Sequence, residues 1–186
     1  MKTLVFFLEE PSAREMLEGL RPRLFAPETD VRYVVFRGKQ DLEKNLHRKL
    51  RGWLTPDCAF VVLRDQDAGD CREIKQRLLS MCPSDPRIQV LVRIACHELE
   101  SFYIGDLAAV ERGLALHGLS RHQNSALCRD PDALPNPSQV LDNLTGRKYQ
   151  KVLGSRAIGP HLDPDANTSR SFRALVSGIR SVVAAT

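Results

Sequence analysis

Residues 58–70 read CAFVVLRDQDAGD, an apolar run that is followed by three aspartates, Asp65, Asp67 and Asp70. From Cys58 to Leu63 the side chains are apolar on both faces of an extended chain, which is typical of a strand covered by helices on two sides. We therefore expect a buried strand at 58–63 that brings the three acids to one edge of a sheet.

The same organisation recurs on either side of this stretch. Apolar or β-branched runs predict further strands at 4–8, 31–36 and 88–95. Between the strands, apolar residues at helical spacing predict helices from Pro11 to before Pro27, from Asp41 to Trp53, and from Asp70 to Leu79. Short strands joined by helical crossovers form parallel sheets. We predict an α/β fold with a Rossmann-like parallel sheet of about four strands flanked by helices.

Acidic side chains follow three of these strands. The first is followed by Glu9 and Glu10, the third by Asp65, Asp67 and Asp70, and the fourth by His97, Glu98 and Glu100. Because the carboxyl ends of parallel strands share one edge, we expect these side chains to meet there. Each acid alone has a second explanation as a helix cap or dipole partner. Together they repel one another unless a cation joins them, so the sequence predicts a site for Mg²⁺ or Mn²⁺.

Composition narrows the class of protein. A chain of 186 residues predicts a single domain, 1–186, with an α/β core at 1–110 and a helical extension at 111–186. The formal charge of +4, from 27 basic and 23 acidic residues, is mild, so any nucleic-acid contact must rest on a local patch. No apolar run reaches the ~18 residues that a membrane span needs. Five cysteines, an odd number without a C-x-x-C pair, predict a reduced, cytoplasmic protein.

Two motifs resemble the Toprim domain, the catalytic module of topoisomerases, bacterial primases and OLD-type nucleases. FLEEPSA, residues 7–13, resembles the glutamate motif after the first Toprim strand, and Asp65-Gln66-Asp67 resembles the D-x-D after the third. More specifically, RDQDAGDC at 64–71 and CHELESFYIGD at 96–106 resemble an uncharacterised family of short Toprim-like bacterial proteins, that of domain of unknown function 4276. The resemblance covers residues 1–110 best.

The resemblance implies a metal-dependent phosphotransfer enzyme and assigns roles to residues. Its implied metal ligands are Glu9, Asp65, Asp67 and Asp70, and its implied catalytic residues are Glu9, Asp65, Asp67 and Glu100. Of the pair Glu98 and Glu100, we expect Glu100 to face the metal and Glu98 to be structural. His97 is a candidate general acid or base, although a single histidine is more often a packed or hydrogen-bonded residue.

Other acidic motifs fit the sequence less well. An EF-hand loop counted from Asp65 needs glycine and glutamate where Asp70 and Gln76 stand. A haloacid-dehalogenase phosphatase carries its D-x-D after the first strand. A response-regulator receiver has Ser or Thr after its fourth strand, where this chain has His97 and Glu98.

Beyond residue 106 the pattern is helical. Apolar spacing predicts helices from Leu107 to near Gly118, from Ser138, as its cap, to Leu144, and over 169–184, with a proline-rich loop at 130–138. The segment 146–156 places Arg147, Lys148, Lys151 and Arg156 around Tyr149. Basic side chains with an aromatic ring can hold a phosphate backbone and stack a base, so these four are predicted nucleic-acid contacts, although ordinary surfaces often look the same.

The predicted function is a Mg²⁺-dependent nuclease acting on DNA or RNA. No G-x-x-x-x-G-K-(S/T) phosphate loop is present in the sequence. Because OLD-type nucleases resemble this domain fused to an ATPase, the resemblance implies a separate AAA- or ABC-class ATPase partner in anti-phage defence. Residues 102–104, Phe-Tyr-Ile, form either its docking patch or part of the core. The alternative function is a non-catalytic interaction or regulatory module that binds a partner protein or a nucleotide.

Overall fold

The computed structural model describes residues 3–85 and 88–184, so residues 1–2, 86–87 and 185–186 lie outside the description. Its sheet has four parallel strands in the order β2-β1-β3-β4. The strands are β1 (Thr3–Leu8), β2 (Val31–Val35), β3 (Cys58–Asp65) and β4 (Gln89–Ala95). The predicted α/β class is confirmed, and the third strand runs two residues further than predicted, to Asp65.

Eight α-helices connect and cover the strands in the described residues. They are α1 (Pro11–Leu24), α2 (Lys39–Arg51), α3 (Cys71–Ser80), α4 (Glu100–Ile104), α5 (Leu107–Gly113), α6 (Pro137–Leu144), α7 (Lys151–Ile158) and α8 (Arg170–Ala184). Short 3₁₀ turns lie at Ser120–His122, Pro131–Ala133 and Gly159–His161. No helix in the described part of the chain has both the length and the apolar character that crossing a bilayer requires.

The sheet separates two apolar cores because neighbouring residues of a strand point to opposite faces. Leu4, Phe6 and Leu8 of β1 pack with α1 and with helices α4 to α8. Val5 and Phe7 pack on the other face, against α2 and α3. All residues of β1 and β3 are buried, as the apolar runs predicted. The helical C-terminal part thus covers one face of the sheet only.

Three helices begin or end at residues other than those predicted. Helix α2 begins two residues early, after Gly38, whose φ of +93° an L side chain rarely adopts. Trp53 lies beyond its end and packs on Phe7 and Phe60. The helix predicted to end near Gly118 ends at Gly113. Ser138, predicted as a cap, lies inside the first turn of α6, which Asn136 precedes as the cap residue.

The apolar run 102–104 is part of the core. Phe102, Tyr103 and Ile104 are all fully buried in α4. They therefore cannot form a docking patch for an ATPase partner, and the alternative expectation, that they belong to the core, is the correct one.

Helix α1 and the 3₁₀ turn at Gly159–His161 pack closely against each other. A Cβ placed on Gly19 of α1 would lie 2.5 Å from the backbone carbon of Gly159 and 2.5 Å from the nitrogen of Pro160. Only glycine allows this approach, so α1 and the turn at 159–161 are fixed against each other by backbone contact.

Candidate functional site at the carboxyl edge of the sheet

Strands β1, β3 and β4 are neighbours or next neighbours in the sheet, so their carboxyl ends meet as predicted. Glu9 follows β1 directly, and its Oε2 accepts a hydrogen bond from the backbone N–H of Asp65 at 3.1 Å. Burial raises the pKa of Glu9, which this hydrogen bond partly offsets. The bond joins the first glutamate to the start of the D-x-D segment.

Asp65, the last residue of β3, is the most strongly perturbed acid of the edge. It is 8% exposed. Burial raises the pKa of its carboxyl well above the usual range, and the charges of Glu10, Glu100 and Glu9 raise it further. Four acids therefore interact here, and we call Glu9, Glu10, Asp65 and Glu100 the acidic cluster.

Glu100 enters the acidic cluster from the first residue of α4 and is fully buried. Its Oε1 accepts a hydrogen bond from the Tyr149 hydroxyl at 2.8 Å, whereas Oε2 has no hydrogen-bond partner among the described residues. Burial raises its pKa. Glu98, by contrast, accepts the backbone N–H of Ser138 at 2.7 Å, and so satisfies the first turn of α6.

A lysine supplies positive charge to the acidic cluster. Lys151 Nζ lies 2.7 Å from Glu10 Oε2. Burial alone would lower the pKa of Lys151, but the hydrogen bond to Glu10 and the charges of Glu100 and Asp65 reverse this and raise it. Lys151 begins α7, so the ammonium comes from the helical C-terminal part. Its predicted role in binding nucleic acid has to compete with this ion pair.

Arg64 is a buried cation that sequence reasoning missed. Its side chain is 5% exposed, and it lies 3.0 Å from Glu43, 3.7 Å from Asp67 and 3.8 Å from Glu9. Neither Nε nor Nη1 makes a hydrogen bond of good geometry in the described residues, so these contacts act through charge. The detectable signal in the sequence was an arginine placed directly between the apolar run and the first aspartate of the D-x-D.

The remaining residues of the D-x-D region have their own contacts. Asp67 has a left-handed φ of +56°, pairs with Lys39 at 2.8 Å, and is 38% exposed. His97, also left-handed at φ +57°, accepts the backbone N–H of Asp67 through its carbonyl at 2.7 Å. Asp70 is exposed and caps α3 by accepting the backbone N–H groups of Arg72 and Glu73 at 2.8 and 3.0 Å. These two bonds lower its pKa.

The predicted nucleic-acid segment is only partly available for binding. Arg156 pairs with Glu15 at 2.6 Å and Lys151 pairs with Glu10. Arg147 and Lys148 are exposed. Two of the four predicted contacts are therefore already paired with carboxylates of the protein.

The chemistry of the acidic cluster fits a divalent cation, although its side chains are not arranged around one. Across residues 3–85 and 88–184, no three His, Cys, Asp or Glu side chains are positioned to hold a metal ion. Oε2 of Glu100 nevertheless has no hydrogen-bond partner among the described residues, and the charges of Glu10, Glu100 and Glu9 add to the effect of burial in raising the pKa of Asp65. An oxygen-binding cation would satisfy that atom and the excess negative charge.

Comparisons with known proteins agree with this architecture. Among solved structures, the chain is similar to the C-terminal region of the Xanthomonas campestris pv. campestris OLD protein, with 16% identity and a TM-score of 0.55. The alignment covers 100% of this chain and 97% of that one, so the likeness extends over the whole fold, which is Toprim-like. A search of curated proteins found no match. Residues 8–180 match the model of Domain of unknown function (DUF4276), and the chain belongs to that family.

Proposed function

We propose that this protein is a Mg²⁺- or Mn²⁺-dependent phosphotransfer enzyme, a nuclease acting on DNA or RNA. The observation that carries the proposal is Asp65, a buried carboxylate at the end of β3 that shares the edge with Glu9, Glu10 and Glu100. Carboxyls with raised pKa values that lie close together, here Glu9, Asp65 and Glu100, are typical of functional sites. The Toprim-like fold and the family resemblance support the same activity.

In this proposal each residue at the edge of the sheet has a separate role. Glu9, Asp65, Asp67 and Glu100 would hold the ion, and a bound ion would supply a Lewis acid that polarises the scissile phosphate and stabilises the leaving oxygen. The Tyr149 hydroxyl orients Glu100 through its hydrogen bond at 2.8 Å. Arg64 positions Glu9 and Asp67, which its guanidinium approaches within 4 Å. His97 remains a proposed acid or base, and Asp70 a proposed further ligand.

Metal binding is tested by thermal unfolding. A ligand at 100 times its Kd stabilises a folded protein by about 2.7 kcal/mol. For a chain of this size that raises the melting temperature by roughly 5–10 °C. Wild-type protein should show this rise with Mn²⁺ after EDTA treatment, whereas Asp65→Asn should not. Asp165→Asn removes an exposed carboxylate paired with Arg180 and is the matched control.

Asp70→Asn separates the two roles of Asp70. Asparagine caps helices as well as aspartate does, so α3 keeps its cap while the negative charge is lost. If Asp70 is a metal ligand, the Mn²⁺ shift decreases in this variant. An unchanged shift assigns Asp70 to the cap alone.

Nuclease activity is tested with plasmid, linear duplex, single-stranded DNA and RNA, each with Mg²⁺ or Mn²⁺. Glu9→Gln should stop cleavage without loss of substrate binding. Absence of cleavage of every substrate by the wild type, alone and with the partner below, would contradict the enzyme proposal.

The proposed partner is an AAA- or ABC-class ATPase, with which the protein acts in the cytoplasm in anti-phage defence. The resemblance to OLD-type nucleases supports this pairing. Co-expression with an ATPase encoded beside it, followed by size-exclusion chromatography, tests it. Separate elution at micromolar concentration, with and without ATP, would contradict it.

The alternative is a non-catalytic module that binds a partner protein or a nucleotide. The ion pair between Lys151 and Glu10 favours it, because an ammonium already supplies a cation to the acidic cluster. This alternative predicts no Mn²⁺ shift and no cleavage, but retention of the partner on a column.

A further inference from the structure

A second feature lies beside the acidic cluster, along β4, the edge strand of the sheet. An open cavity of about 560 Å³ runs between α3 and α8. Its lining includes four basic side chains and two cysteines: Arg72, Lys75, Arg93, Arg170, Cys71 and Cys96. We call it the α3/α8 groove. It contains none of the basic residues that the sequence pattern singled out.

The charge of the α3/α8 groove is positive and largely uncompensated. Arg72 and Lys75 are exposed on α3, one turn apart. Within the described ranges neither lies within ion-pair distance of a carboxylate, and the charge of Arg72 acts only at longer range on Asp70. Arg170 shares its charge with the exposed Asp130 at 3.2 Å. The groove thus presents a row of cations instead of a single charge.

Asp132, the one acid in the lining of the groove, is hydrogen-bonded to residues at the start of α8. Asp132 is 8% exposed, and its carboxylate accepts hydrogen bonds from the Ser169 hydroxyl at 2.6 Å and the Ser171 backbone N–H at 2.7 Å. These bonds tie α8 to the loop before α6. The carboxylate of Asp132 is therefore hydrogen-bonded to the start of α8 rather than to the basic side chains of the groove.

Arg93 fixes one wall of the groove. Its Nε donates to the carbonyl of Ala174 at 2.9 Å, and its Nη1 donates to the carbonyl of Val92 at 3.0 Å. Both acceptors are neutral, so the guanidinium keeps its charge while its position is set. Arg93 thus joins α8 to the edge of β4 and contributes a pre-positioned cation.

The α3/α8 groove opens next to the acidic cluster. Cys96 directly follows the end of β4, and Ala95 is the register partner of Asp65. Neighbouring strands lie about 4.8 Å apart. Cys71 opens α3 directly after Asp70. A ligand extended along the groove would therefore reach the edge of the sheet at the position of Asp65.

We propose that the α3/α8 groove binds the phosphodiester backbone of a nucleic-acid strand and directs it to the acidic cluster. A row of cations suits a polyanion, whose binding releases one counterion for each phosphate neutralised. The acidic cluster itself repels phosphates, so a substrate needs a separate basic surface close by. The direction of the strand toward the cluster rests on the proposed nuclease function, whereas binding in the groove does not.

Binding is measured by fluorescence anisotropy with labelled single-stranded DNA, duplex DNA and RNA, in EDTA so that nothing is cleaved. The groove variant Arg72→Ala, Lys75→Ala should bind on the order of tenfold more weakly at moderate salt. Its plot of log affinity against log salt should flatten by about 1.4 for a single strand, roughly 0.7 for each phosphate that the variant no longer neutralises. The control Lys44→Ala, Lys49→Ala removes two exposed charges from α2 and should behave as wild type.

A thiol footprint gives a second readout in the unmodified protein. Cys71 and Cys96 line the groove, whereas Cys82 does not. A bound oligonucleotide should slow alkylation of Cys71, measured by mass spectrometry, and leave the rate at Cys82 unchanged. Poly-glutamate serves as a competing polyanion, and equal protection by it would overturn the assignment to nucleic acid.

The outcomes separate the two proposals. The proposal that the groove binds nucleic acid would be overturned by either of two results. The first is wild-type affinity and salt dependence in the groove variant, and the second is absence of oligonucleotide binding by the wild type. Loss of binding in the groove variant with no cleavage by the wild type would leave the groove standing and remove the nuclease function. Circular dichroism of both variants checks that these exposed substitutions leave the fold intact.

Discussion

Replacing Arg64 by methionine should destabilise the protein strongly, because the side chain that makes its ion contacts is buried. The side chain is 5% exposed and lies among Glu9, Glu43 and Asp67. Removing one partner of a buried ion pair costs about 3–5 kcal/mol, because the remaining charges lose their compensation. The three carboxylates are themselves 15 to 38% exposed, which places the expected loss at the low end, about 3 kcal/mol. The melting temperature should then fall by roughly 6–12 °C.

The chain offers a matched control in Arg77. Its guanidinium lies 2.9 Å from the same oxygen of Glu43, but the side chain is 52% exposed. Arg77→Met should cost about 0–1 kcal/mol, and less in high salt. Chemical denaturation of both variants at low and high salt measures the difference. Equal losses in Arg64→Met and Arg77→Met would refute the argument that burial decides the strength of these ion pairs.

Three further predictions concern the acidic cluster and the core. The raised pKa of Asp65 means that this carboxyl keeps its proton to a higher pH in the folded protein than in the unfolded chain. In EDTA its contribution to the free energy of unfolding should therefore fall as the pH rises from about 4 to its pKa in the folded protein, and Asp65→Asn should remove that contribution in chemical denaturation. Lys151→Met removes the ammonium that already compensates negative charge in the acidic cluster, so Mn²⁺ affinity measured by electron paramagnetic resonance should rise, and a weaker affinity would contradict the competition. Gly19→Ala places a methyl group 2.5 Å from the backbone of Gly159 and should cost about 1–3 kcal/mol in thermal unfolding, whereas an unchanged melting temperature would show that α1 and the turn at 159–161 can separate without cost.

The sheet was predictable from sequence because apolar or β-branched residues dominate each strand. Residues 58–63 cannot be placed at a surface, and helical segments between the strands require parallel pairing. The strand order β2-β1-β3-β4 was not contained in that pattern. Helix ends were missed where a single backbone conformation decides them, as at Gly38 before α2.

The site was predictable to the extent that it depends on strand ends. Parallel strands bring Glu9 and Asp65 together whatever the rest of the chain does, and the structure joins them by a hydrogen bond. The roles of Tyr149 and Lys151 depend on contacts with residues 49 and 141 positions away. Local periodicity carries no information about such contacts, so sequence reasoning assigned Lys151 to nucleic acid and left Tyr149 without a partner in the acidic cluster.

The hydrogen bond from Tyr149 to Glu100 and the ion pair from Lys151 to Glu10 also restrict how this chain can be recombined. A chimaera joined near residue 110 would inherit all four strands and the four acids of the acidic cluster from one parent, and Tyr149 and Lys151 from the other. The chimaera would contain all four acids of the acidic cluster, but Glu100 and Glu10 would contact residues from the other parent in place of their own Tyr149 and Lys151. Exchange between relatives should therefore succeed when the crossover lies outside residues 10–151, and fail within that interval unless both parents supply matching pairs.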